Sequence, residues 1–149
     1  MFTLYSKGCE YTFRALVHAA TEDGKGRFQA KDVCEKAGIP EPYTRKVFQS
    51  LVQGGLLIAA RGPGGGYVLA EKPSDISLLR VIRAVDGEET FDACVMGLPQ
   101  CDGKHPCPLH EVWAGAKERL LERLEKNTLQ DLLDAAKTKP GQKPKRKRK

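Results

Sequence analysis

No stretch of about 18 consecutive apolar residues occurs in the 149-residue chain, so no helix in it is expected to span a membrane. Its first residues lack the basic stretch and apolar segment of a secretory leader, and a cytoplasmic location is expected. No Gly-Lys-Ser/Thr phosphate loop, nucleophile–base pair or paired set of carboxylates stands out, so no enzymatic activity is expected. Nor is there any Cys-x-x-Cys pair among the five cysteines. An odd cysteine count fits a complete disulfide framework poorly. In a reducing compartment, clustered thiols point to metal or redox chemistry.

The net charge of +6 is concentrated. Residues 137–149, KTKPGQKPKRKRK, carry eight Lys or Arg and no acid, and the rest of the chain is slightly acidic. Such a Pro-interrupted basic run cannot bury a core and is expected to be disordered. It offers non-specific attraction to phosphates, or only solubility.

The patterned segments come in a definite order. Residues 10–20 place Phe13, Leu16, Val17 and Ala20 at helical spacing, and a glycine-containing loop, TEDGKGRF, follows. A short helix near QAKDVCEKAG turns Ala30, Val33, Cys34 and Ala37 inward and stops at Gly38, with Cys34 read as a core residue. IPEPYTRKVFQSLVQGG forms a turn and a third helix with Val47, Phe48, Leu51 and Val52 buried. LLIAA and YVLAE read as two strands joined by RGPGGG. The glycines of this turn lead into a strand, not a helix, so they make a hairpin and not a nucleotide cradle.

SLLRVIRAVDG reads as a fourth helix, capped by Ser77, with Leu78, Val81, Ile82 and Val85 inward. From His110 onward a long helix sets Val112, Trp113, Ala116, Leu120 and Leu124 on one seam. Thr128 and Asp131 mark the start of a final short helix. The expected fold class is therefore mainly α with a small β-hairpin wing: a winged helix-turn-helix region over 1–86, a cysteine-rich loop over 87–109, a long helix and short final helix over 110–136, the long one being the dimerisation helix if the resemblance given below holds, and the basic tail over 137–149.

Three helices followed by a hairpin suit DNA. A helix fits the major groove, and a hairpin can lie along the neighbouring minor groove or backbone. Tyr43, Thr44, Arg45, Lys46 and Gln49 at the start of the third helix are the candidate contacts, with Arg61 at the wing tip placed to enter a narrow minor groove. A merely solvated polar face, or a wing used for protein contacts, is the competing reading.

The loop CVMGLPQCDGKHPCPLH holds Cys94, Cys101 and Cys107, separated by six and five residues, with His110 three positions after the last. Thiolates favour iron–sulfur clusters and zinc, and imidazole can complete either site. Spacing alone does not separate the two, although the missing Cys-x-x-Cys pairs tilt away from zinc. Free thiols or a reversible disulfide switch are the other readings. Ligand bonds can replace a missing hydrophobic core, so the metal-free loop is expected to be disordered.

With SKGCEYTFRAL, GIPEPYTRKVFQSLVQGGLL, RGPGGGYVLA, ISLLRVIRAVDG and the HEVW helix start, the chain resembles the Rrf-type bacterial transcription regulators through about residue 136. The resemblance implies a homodimer that pairs its long C-terminal helices on a pseudo-palindromic operator. It implies that Tyr43, Arg45, Lys46 and Arg61 face DNA; Arg45 and Lys46 depart from the Glu-Gln pair of some members, so no operator sequence carries over. It also implies an iron–sulfur cluster on Cys94, Cys101 and Cys107. His110 is then the first choice of fourth ligand and favours 2Fe–2S. Glu10, reaching across the dimer, is the alternative and suits 4Fe–4S, with Cys9 after it. The expected function is a regulator whose operator affinity follows the cluster and senses iron, redox or nitric oxide status. The alternative is a cluster-free member of the family signalled by cysteine oxidation or a partner protein.

Overall fold

A computed structural model describes residues 4–21 and 26–138. The winged body comprises helices α1 (Lys7–Thr21), α2 (Ala30–Ala37) and α3 (Glu41–Gln53), strands β1 (Arg27–Phe28), β2 (Leu57–Ala59) and β3 (Tyr67–Leu69), and helix α4 (Leu78–Asp86). After the cysteine loop come α5 (His110–Lys126) and α6 (Leu129–Thr138). Mainly helical with a small sheet, this is the fold class that the order of patterned segments predicts.

Local sequence sets these boundaries. Gly38 adopts a left-handed conformation (φ 68°) that other residues resist, and its N–H returns to the Cys34 carbonyl to close α2. Two residues later Pro40 is the N-cap of α3, and Pro42 sits in the first turn, where a missing N–H costs nothing. Ser77 caps α4 by accepting the Arg80 N–H at 3.2 Å. Thr128 and Asp131 cap α6 reciprocally: the Thr128 N–H donates to Asp131 Oδ2 at 2.8 Å, and Thr128 Oγ1 accepts from the Asp131 N–H at 3.3 Å. Helix α6 runs through Thr138, slightly past the expected end of the ordered region. Residues 139–149 of the expected basic tail lie outside the described residues.

The wing has three strands, not two. β3 lies between β1 and β2, antiparallel to both, with Phe28 opposite Tyr67 and Ile58 opposite Val68. The extra strand falls in the segment read from its glycines as loop. Arg27 and Phe28 are too few to carry a strand pattern, and only the exposed edge of β3 gives them a partner. Gly66 is required here: a Cβ on it would lie 2.6 Å from the Phe28 carbonyl oxygen.

Phe28, Phe48 and Tyr67 form a compact aromatic trio, with centroid separations of 5.1–6.3 Å. This trio fixes the wing against α3. Around it Val33, Leu51, Leu57, Ile76 and Leu129 are fully enclosed, each contributing roughly 1.5–3 kcal/mol by burial. On α1 the buried stripe is Thr12, Ala15, Leu16 and Ala19. It is rotated from the expected Phe13–Leu16–Val17–Ala20 stripe because small residues face the crossing helices. Leu79 is buried on α4 as well, whereas Leu78 is only half-buried.

A second, smaller core joins the body to α5. Cys9, Leu79, Ile82 and Phe91 are buried together, and Leu120, Leu121 and Leu124 of α5 pack against them. Nothing on α5 is fully buried. Val112, on the expected seam, is 72% exposed.

Candidate metal centre and nucleic-acid interface

The connection between α4 and α5 has no regular structure, yet it converges. The Sγ atoms of Cys94, Cys101 and Cys107 all lie within 4.8 Å of one another, and among the described residues this is the group of potential ligands that assembles. Cys107 is buried; Cys94 and Cys101 are half-buried. Turns bring them together. The Gly97 N–H bonds to the Cys94 carbonyl at 2.9 Å, and the His110 N–H bonds to the Cys107 carbonyl at 3.1 Å, leading directly into α5. Asp102 Oδ1 accepts the N–H groups of Lys104 and His105 at 2.8 and 2.7 Å, which tightens the turn between the second and third thiols.

Of the expected fourth ligands, His110 is the one placed at the thiols, with Nδ1 3.1 Å from Cys101 Sγ. Glu10 is on α1, ion-paired with Lys7 at 3.1 Å and Arg14 at 3.3 Å, and does not join the thiols of its own chain. Cys9 is fully enclosed in the core beneath α5. Burial, and then the Asp86 carboxylate, push its thiol up to about 12. The converging thiols of its own chain do not include it. His105 turns toward Asp102 and Gln100.

The loop prepares one thiolate. The Leu98 backbone N–H lowers the Cys94 thiol to about 7, working against desolvation and joined by the Met96 N–H and the two neighbouring thiols. At Cys101 the Cys107 backbone also favours the thiolate, but desolvation and the Cys94 and Cys107 thiols outweigh it and the value rises. One low and one raised thiol side by side are what a shared negative charge produces. Three sulfur donors and an imidazole, one sulfur already inclined to ionise, suit a soft metal centre, and the residues present fit an iron–sulfur cluster.

In the winged body α3 presents its polar face. Arg45, Lys46 and Gln49 are exposed on successive turns, and Arg61 is exposed at the wing. Arg45 is held by Glu41 at 2.8 Å, an ion pair a phosphate can replace. Thr44 does not belong with them. It is 1% exposed, and its hydroxyl donates to the Pro40 carbonyl at 3.0 Å, so it is a core residue of the helix start. Its predicted role in contacting DNA is corrected for that reason. Tyr43 packs edge-on against Tyr11 with centroids 5.6 Å apart, and a Cβ at Gly8 would collide with its hydroxyl. Tyr43 is thus seated on the start of α1.

That seat connects to the cysteine loop through a contact the sequence conceals. Ser6 caps α1, accepting the Cys9 N–H at 3.1 Å. Its own N–H donates to Asp86 Oδ2 at 2.8 Å, and its hydroxyl donates to Asp86 Oδ1. Asp86 is the last residue of α4, immediately before the loop. The cap is legible as a serine before a helix, but its partner lies 80 positions away and carries no local signal.

Comparison with known proteins agrees with this arrangement. Residues 5–135 match the Rrf2 family, described as an iron-dependent transcriptional regulator. The chain is 33% identical over 131 residues to the HTH-type transcriptional regulator IscR of Pectobacterium atrosepticum, covering 88% of this chain and 79% of that protein. It is 35% identical to IscR of Klebsiella pneumoniae over the same shares. The structure of IscR from T. potens superposes with a TM-score of 0.70 at 29% identity, covering 93% of this chain and 92% of that one. CymR, the global cysteine regulator of B. subtilis, gives 0.72 at 25% identity, covering 91% and 98%. These relatives are transcriptional regulators, in keeping with the absence of a catalytic arrangement in the sequence. Winged body, thiol loop and match along residues 5–135 together lead to one statement: the chain belongs to the Rrf2 family of DNA-binding transcriptional regulators.

Proposed function

We propose that the protein is a cytoplasmic homodimer that binds a two-fold operator and changes its affinity with the state of an iron–sulfur cluster on Cys94, Cys101, Cys107 and His110. The observation that carries this reading is the convergence of three Sγ atoms within 4.8 Å, with His110 Nδ1 beside Cys101. Three thiolates and an imidazole favour 2Fe–2S. With Glu10 from a second copy as fourth donor, 4Fe–4S is the alternative, and the iron count per chain of wild type and Glu10→Gln separates them. When bound, the cluster supplies a redox-active centre whose charge and integrity follow iron supply, oxygen or nitric oxide.

The chain's own residues supply the response. The exposed Val112 and Ala116, one turn apart on α5, begin an apolar face for a second copy, which would fix the distance between the two α3 helices. Half-sites lie about 34 Å apart on the duplex, so a small rotation at this seam alters the match. Asp86 links the loop to Ser6 and, through α1, to the seat of Tyr43. Arg45, Lys46 and Gln49 then meet the major groove, Tyr43 the adjoining backbone, and Arg61 the minor groove. A coupling of about 1–3 kcal/mol corresponds to roughly 5–150-fold in operator affinity.

The test is anaerobic reconstitution followed by footprinting on the protein's own promoter, with and without cluster. Wild type is expected to turn brown and to change its operator affinity on cluster loss, and Cys94→Ala is expected to stay pale. A Cys94→Ala protein as brown as wild type removes the loop as the site. A colourless, iron-free wild type with unchanged footprints removes the reading. A second reading rests on the same grouping of sulfurs, which would also let two of the thiols join as a disulfide, and on the structural likeness to CymR. In that case native mass spectrometry finds an iron-free chain that loses two hydrogens on mild oxidation.

A further inference from the structure

Beside the thiols lies a hydrogen-bond donor with nothing to bond. Trp113 is in the first turn of α5, three residues after His110, so the two side chains rise from one face of the helix. Its ring lines the cleft formed by Cys94, Cys101, Cys107 and His110. Its Nε1 is fully enclosed and, among the described residues, has no hydrogen-bond partner. A buried indole N–H ordinarily finds an acceptor, and one left without is rare enough to require a reason. The side-chain acceptors lining this cleft are the three cysteine sulfurs, His110, whose Nδ1 already faces Cys101, and the Asp92 carboxylate, which is exposed to solvent; the sulfurs are the ones set inside it.

We propose that Trp113 Nε1–H donates a hydrogen bond to a sulfur of the cluster or of its thiolate ligands, and so tunes the reduction potential of the centre. The inference rests on the cluster reading above. A donor to sulfur stabilises the more negative, reduced state over the oxidised one, and so raises the potential. Lys117, one turn further along α5 and lining the same cleft, acts in the same sense through its positive charge. Trp113 is a positioning and tuning residue here, not a ligand.

Trp113 is the only tryptophan in the chain, so global replacement of tryptophan is site-specific. Substituting β-(3-benzothienyl)alanine keeps the ring shape and puts sulfur in place of N–H. Trp113→Phe is the second variant. Each protein is reconstituted anaerobically, its iron counted, and its visible spectrum followed during mediated titration with dithionite, which delivers one electron per cluster. The isostere is expected to bind iron as wild type does, with its one-electron reduction equilibrium about tenfold less favourable, which is about 59 mV lower. Trp113→Phe is expected to shift the same way. An isostere that loads fully and titrates at the wild-type potential overturns the inference while the cluster reading stands. A wild type that takes up no iron overturns both.

Discussion

In the winged body the chain encloses Phe48, Leu51, Leu57 and Val33, whereas from Gly87 to Lys126 only Phe91 and Cys107 are buried. The two regions are adjacent and similar in polarity along the sequence, but they are held by different forces. The body gains its order from apolar area removed from water, which any aqueous condition supplies. The loop and α5 have too little to bury. On the function proposed above, ligands at the sulfur atoms and a second copy along α5 supply the rest of their order. A region that depends on a ligand for its order can report that ligand, and a region that does not can hold the reading head still. On the proposed function, sensing falls to one part and recognition to the other.

The largest effect that sharpens this contrast belongs to the body. Phe48→Ala removes the ring at the centre of the aromatic trio and is expected to cost about 3–5 kcal/mol in guanidinium unfolding. Iron bound per chain should remain at the wild-type level below the lowered melting temperature. Loss of iron in step with stability would mean that the loop borrows its order from the body.

The converse test removes the ligand. Chelating the iron is expected to raise amide exchange over residues 92–109 by about tenfold or more, since ligand bonds there stand in for a core. Exchange in α2 and α3 is expected to stay as it was. Uniform acceleration would show one cooperative unit instead of two.

Much of the body was legible before any coordinates, because burial leaves a periodic trace. Ala30, Val33, Cys34 and Ala37 on α2, and Val47, Phe48 and Leu51 on α3, are buried as their spacing requires. Ser77 and Thr128 cap the helices they precede. Thr44 misled because a helix-start threonine in a polar stretch reads as surface, when its hydroxyl is satisfied one turn back. Strand β1 was missed because two residues cannot show a pattern. The thiol site was legible by residue type, since few uses need three cysteines in an irregular loop. What held no signal was long-range: the Ser6–Asp86 contact and the unpaired Trp113 N–H exist only once the helices are packed.

Asp86 sits where the two regions meet, and a smaller effect is expected there. Asp86→Asn keeps an acceptor for Ser6 but removes its charge. The difference in operator affinity between loaded and cluster-free protein is expected to fall by about fivefold, roughly 1 kcal/mol of coupling. Iron content and the visible spectrum should not change. A full response in this variant would place the link along α5 alone.

The smallest perturbation uses a residue type common to both regions. Cys9 lies in the core, where burial holds its thiol up near 12, while backbone N–H groups in the loop hold Cys94 near 7, below the ordinary value of 9. In metal-free protein at pH 7.5, iodoacetamide followed by peptide mass mapping is expected to label Cys94 first and leave Cys9 untouched. Because the folded loop lowers the Cys94 value, that thiolate's contribution to loop order is fully present above pH 9 and is lost as the pH falls through about 7. Labelling at Cys94 should therefore decline over the same interval, and mild denaturant at pH 7.5 should slow it, since the loop loses the N–H groups that favour the thiolate. Cys9 should respond in the opposite direction, becoming reactive only when the body unfolds. Equal rates at the two cysteines, or a Cys94 rate that follows an ordinary thiol through pH 9, would erase the distinction between a loop prepared for a metal and a core that merely contains a sulfur.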